Sequence, residues 1–75
     1  MNEITHQQII ENFLEYREYE YLSKENYITH VLFNDELEIE FFPICIKVSS
    51  VHGVFEDMKF QDAFEYIEWL ISKVG

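Results

Sequence analysis

Glu36-Leu37-Glu38-Ile39-Glu40-Phe41 alternates carboxylate and apolar side chains without a break. Successive side chains of a β-strand point to opposite faces. The segment therefore presents three glutamates to one side and Leu37, Ile39 and Phe41 to the other. A strand wet on one face and buried on the other belongs to an antiparallel sheet with a single covered face.

The neighbouring segments extend that sheet. Tyr27 to Phe33 is rich in β-branched and aromatic residues and reads as the preceding strand. Asn34-Asp35 reads as the turn between them, since both residues tolerate positive φ. With that two-residue loop, Phe33 lies opposite Glu36 and Val31 opposite Glu38. Phe33, Val31 and Tyr27 would then share the carboxylate face. A longer loop or a bulge would instead turn them into the core. The equal apolarity of Ile28 and Leu32 tips the reading towards that alternative, because a one-residue slip reverses the faces. Downstream, Pro43 marks a turn or an edge. Ile44, Ile46 and Val48 alternate with Cys45, Lys47 and Ser49 as a third strand. His52-Gly53 reads as a second turn, and Val54-Phe55 is a candidate fourth strand.

Helices flank the meander. Thr5 is placed to cap the first, with Gln8 completing a capping box and Ile4 and Ile9 forming a hydrophobic staple. Ile9, Ile10, Phe13 and Leu14 recur at helical spacing, with Tyr21 continuing the stripe and Glu11, Glu15 and Glu18 opposite. The alternation Tyr19-Glu20-Tyr21-Leu22 could end the helix early, and Ser23-Lys24-Glu25-Asn26 reads as a loop. In the last segment Phe60, Ala63, Phe64, Ile67, Leu70, Ile71 and Val74 follow a three-and-four rhythm. Asp57 is the expected N-cap, with a start nearer Phe60 as the alternative; Asp62 and Lys73 suit the helix dipole, and Gly75 stands in a stop position.

The expected architecture is α+β in the order α-β-β-β-α. Three antiparallel strands, or four if Val54-Phe55 joins, carry both helices on one face. This order is shared with double-stranded-RNA-binding domains. Those domains hold phosphate with basic residues, and the last helix and its lead-in carry no basic cluster. The likeness is of topology alone.

At 75 residues the chain is read as one small acidic domain spanning 1–75. Fifteen acidic residues against five basic ones give a formal charge of -10 at pH 7. The hydrophobic share of 48% argues against disorder at that charge. Self-repulsion in the compact state predicts stability that rises with salt. A bare phosphate backbone and an anionic membrane surface are both disfavoured as partners. A lone Cys45 permits no intramolecular disulfide, and the N-terminus has neither a basic stretch nor an apolar one. The protein is expected in the cytoplasm, and its Ile-, Asn-, Glu-, Phe- and Tyr-rich composition suggests a bacterial or phage source.

Catalytic signatures are absent from the sequence. His6, His30, His52 and Cys45 show no metal-ligand spacing. Ser49, Ser50, His52 and Asp57 include the residue types of a triad but lack nucleophile-elbow glycines. No phosphate-cradling glycine loop or calcium-loop pattern occurs. The protein is accordingly read as a non-enzyme with no catalytic residue, cofactor or metal.

Three acidic rows remain: Glu36, Glu38 and Glu40; Glu11, Glu15 and Glu18; and Asp62, Glu65 and Glu68. On a strand the first row spaces its carboxylates by about 6.7 Å, of the order of successive phosphates along a nucleic-acid strand. Trp69, placed with Tyr66 on the polar side of the last helix, is a hot-spot residue type. The expected function is therefore an acidic interaction module, an inhibitor or nucleic-acid mimic. It would occupy the basic nucleic-acid-binding surface of another protein, in an anti-restriction, anti-CRISPR, nuclease-inhibitor or immunity-type role. The expected contact residues are Glu36, Glu38, Glu40, Asp62, Glu65, Glu68 and Trp69. The alternative is a structural or regulatory homodimer, with the tyrosine-rich or Trp69 surface as its interface, whose charge serves solubility.

Overall fold

The computed structural model describes residues 5–74. Its elements run α1 (His6–Tyr16), β1 (Tyr21–Lys24), β2 (Tyr27–Leu32), β3 (Asp35–Phe41), β4 (Ile46–Ser50), β5 (Met58–Phe60) and α2 (Ala63–Val74). The strands form one antiparallel meander in the order β1-β2-β3-β4-β5. The α+β class stands, and the sheet has five strands rather than three or four. β1 occupies what reads as the end of the first helix and a loop. β5 occupies what reads as the lead-in to the last helix, while Val54-Phe55 lies in the bend before it. The two added strands also depart from the order of double-stranded-RNA-binding domains.

Thr5 caps α1 as expected, its hydroxyl accepting from the Gln8 amide at 3.1 Å. Ile4, the other half of the expected staple, lies outside the described residues. The helix stops at Tyr16 through paired bonds, Tyr19 N–H to the Leu14 carbonyl and Glu18 N–H to that of Glu15. This is a Schellman ending, with Glu18 in the left-handed position usually given to glycine (φ 61°). The missing glycine is why the stop is hard to read in the sequence. α2 starts at Ala63 and is capped by Asp62, not Asp57: the Glu65 amide donates to Asp62 Oδ1 at 2.9 Å. Phe60 belongs to β5.

The turn between β2 and β3 is Phe33-Asn34, not Asn34-Asp35. Both residues have positive φ (50° and 65°), the conformation of a two-residue type I′ hairpin loop. The turn pairs Leu32 with Asp35, Val31 with Glu36, Thr29 with Glu38 and Tyr27 with Glu40. This register differs from the two-residue expectation by two positions, so the faces are unchanged. Val31 and Tyr27 lie on the carboxylate face, and Ile28 and Leu32 point into the core. The bulge reading is thereby corrected.

Both helices cover the inner face. Ile10 and Leu14 of α1 and Ala63, Tyr66 and Leu70 of α2 form one buried cluster with Ile28, Leu32, Leu37, Ile39, Ile46 and Val48 of the sheet. Each fully buried Ile or Leu contributes about 1.5–3 kcal/mol. Gln7 fastens α1 to the first hairpin: its amide nitrogen donates to Ser23 Oγ at 2.9 Å, and its oxygen accepts from the Asn26 amide at 3.0 Å. Among the described residues, no element covers the outer face.

Candidate functional site

The outer face is written by the register. One row across it reads Leu22, Thr29, Glu38, Ser49; a second reads Lys24, Tyr27, Glu40, Lys47, Lys59. Val31 and Glu36 form a third, and the Val51 amide donates to the Glu36 carbonyl at 3.0 Å. Glu36, Glu38 and Glu40 thus project together from the central strand, as the alternation predicts. The lysines are not spread evenly among them. Lys24, Lys47 and Lys59 stand in the row of Glu40, so that end of the face is mixed in sign. The acidic end lies around Glu36 and Glu38.

An open groove of about 490 Å³ runs along this end. Leu22, Tyr27 and Val31 line it, with Glu20, Glu36 and Glu38 beside them and Lys24 towards the hairpin turn. The Tyr27 phenol is pushed up chiefly by burial. Glu38 and Glu40 add to that, while a hydrogen bond with Thr29 opposes it. The negative field therefore reaches an aromatic side chain of the groove.

Comparison with protein families, curated proteins and solved structures finds no match.

The other acidic rows lie on the helical side, across the sheet from the first. Glu11 accepts from Ser23 Oγ at 3.0 Å, and Glu15 accepts from the Tyr21 hydroxyl at 2.8 Å. The second contact, with burial and the charges of Glu15 and Glu11, pushes the Tyr21 phenol up to about 12. This row ties α1 to β1, and Glu18 has left the helix. On α2, Asp62 caps the helix and Glu65 Oε1 accepts from the Gln61 amide at 3.3 Å. Glu68 is exposed. The structure therefore groups Glu36, Glu38 and Glu40 and separates them from Asp62, Glu65 and Glu68.

Trp69 is half-buried rather than set on a polar face. It stacks on Tyr66 (5.7 Å between centroids, 19°) and meets Phe55 edge-on (5.2 Å, 78°). Tyr66 itself is in the core. Aromatic pairs at such distances stabilise by about 0.5–1.5 kcal/mol each. Trp69 is thus part of the packing between α2, β5 and the loop before it.

Two buried polar groups escape a sequence reading. His30 is 1% exposed, its Nε2 lies 2.7 Å from the Tyr66 hydroxyl, and its Nδ1 has no hydrogen-bond partner. Burial pushes its pKa down to about 4, against a smaller opposing contribution from the Val31 backbone. Asp35, also 1% exposed, accepts from the Ser50 hydroxyl, from the His52 amide at 2.7 Å and from the Val54 amide at 3.1 Å. Burial would raise this carboxyl. The hydrogen bonds from Ser50, His52, Val54 and Glu36 outweigh it and hold the group below the usual value. Asp35 and Ser50 thereby shape the loop between β4 and β5.

Ser49 lies on the outer face, in the row of Glu38, while Ser50 is bonded to Asp35 on the inner one. The serines of the nominal triad are thus divided between two faces. Among the described residues, no three His, Cys, Asp or Glu side chains converge to hold a metal ion, and no helix is long and apolar enough to cross a membrane.

Proposed function

We propose that this protein is an acidic interaction module that inhibits a nucleic-acid-binding protein by occupying its basic surface. The reading is carried by the uncovered sheet face, where Glu36, Glu38 and Glu40 project side by side from one rigid strand. Their repeat of about 6.7 Å follows from strand geometry. A rigid row of carboxylates pairs with the Arg and Lys side chains that otherwise hold phosphates, and binding becomes competition with nucleic acid. The overall charge of -10 supports the same reading, because a strong field of one sign speeds encounter with a cationic partner. An unpaired Cys45 fits a reducing compartment such as the cytoplasm of a bacterium, including one infected by phage.

The test is capture followed by displacement. A partner is captured with the immobilised protein at low salt, purified, and assayed for release of its bound nucleic acid. The reading expects a basic nucleic-acid-binding protein that releases its nucleic acid as the acidic protein is added, less so as salt rises. Capture of neutral or acidic proteins only, or a partner that keeps its nucleic acid, overturns it.

The homodimer reading has one specific observation in its favour. Phe64 and Ile71 of α2 are 60% and 43% exposed. They would be the interface, since Trp69 packs within its own chain. Sedimentation at rising concentration in moderate salt would show a dimer; a monomer throughout removes the reading.

A further inference from the structure

We infer that the groove along β1, β2 and β3 receives arginine side chains from an extended segment of the partner protein. The inference rests on the proposed function and specifies its site and ligand chemistry. Leu22 and Val31, 61% and 47% exposed, give the groove an apolar surface that none of the described residues covers. Tyr27 adds an aromatic ring, and Glu20, Glu36 and Glu38 add three carboxylates against the single cation Lys24. Among the described residues, β1 is an edge strand with no neighbour on its outer side, so an extended segment can approach along it.

This combination suits arginine better than lysine. The planar guanidinium can bind a carboxylate through two parallel hydrogen bonds and can stack on a tyrosine ring. Its three-carbon stem can lie on Leu22 and Val31 while the charge reaches the glutamates. A compact, strongly hydrated ammonium gains less from the apolar and aromatic surface. Five other acids of the three rows already stand beside a partner within the fold. Glu40 stands opposite Lys47, Glu11 and Glu15 are bonded to β1, and Asp62 and Glu65 are engaged at the start of α2.

The test is an NMR titration of the ¹⁵N-labelled full chain with capped hexa-arginine and hexa-lysine peptides at about 0.15 M ionic strength. Expected are amide shifts concentrated in Glu20–Val31 and Glu36–Glu38, and tighter binding of the arginine peptide. E36Q/E38Q should weaken it about tenfold with the thermal midpoint retained. Shifts spread equally over α1 and α2, equal affinity for the two peptides, or indifference to the double substitution would each overturn the inference. Failure is separable from that of the proposed function. A groove that binds the arginine peptide in a protein that displaces no nucleic acid leaves only the inhibitor reading overturned. Displacement by a protein whose groove ignores the peptide leaves only this inference overturned.

Discussion

Acidification from pH 6.5 to about 4 is expected to cost the fold about 3 kcal/mol through His30 alone. The cause is its position beneath the helices, 1% exposed, with Nδ1 unpartnered. A proton there would place a charge among Tyr66, Tyr19 and the aliphatic core. The folded pKa lies below the unfolded one, so the unfolded chain takes up the proton first. The stability is fully present above pH 6.5 and falls as pH drops towards 4, with about 2 kcal/mol lost near pH 5. A domain of this length has a total stability of about 4–11 kcal/mol, so the loss is a large fraction. Protonation of surface carboxylates acts in the opposite sense by relieving self-repulsion. His30→Gln separates the two effects, because glutamine keeps a polar partner for the Tyr66 hydroxyl and does not titrate. Urea unfolding between pH 7 and about pH 4 should show a steeper fall for the parent than for the variant. Equal slopes would contradict the account.

Asp35→Ala is expected to lower the thermal midpoint by on the order of 10 °C. The substitution removes the acceptor of the Ser50 hydroxyl and of the His52 and Val54 amides in one step. Ser50 Oγ also accepts from the Phe55 amide at 3.2 Å, so the disturbance reaches the ring that packs on Trp69. Hydrogen exchange should accelerate at His52, Val54 and Phe55 before it does in β2 and β3. The carboxyl is held below its ordinary value of 3.8, so its contribution is present above that pH and is lost as pH falls through the lower folded value. Exposed Glu40→Gln is the control and should move the midpoint little. Equal midpoints for the two variants would show that Asp35 does not organise the loop.

These two residues mark where a sequence reading runs out. Alternation placed Glu36, Glu38 and Glu40 on one face because a period of two survives any shift of register by two. It could not place the turn. Asn34-Asp35 carries favourable turn chemistry, whereas the chain turns at Phe33-Asn34 and uses Asp35 inside. Burial of this carboxylate depends on donors from Ser50, His52 and Val54, which are 15 to 19 residues away. β1 and β5 escaped because four and three residues are too few to show a period. The three acidic rows look alike in sequence. Tertiary contacts distinguish them by binding one to β1, fixing much of another at a helix start and leaving the third uncovered.

That distinction is the account's central claim, and paired substitutions test it most directly. The measurement is the Kd for the proposed partner, once captured, at about 0.15 M ionic strength, for the parent chain, for E36Q/E38Q and for E65Q/E68Q. The account predicts a loss of about tenfold or more for E36Q/E38Q and a change within about threefold for E65Q/E68Q, with all three proteins folded. A larger loss for E65Q/E68Q would contradict it and move the docking surface to the helical side.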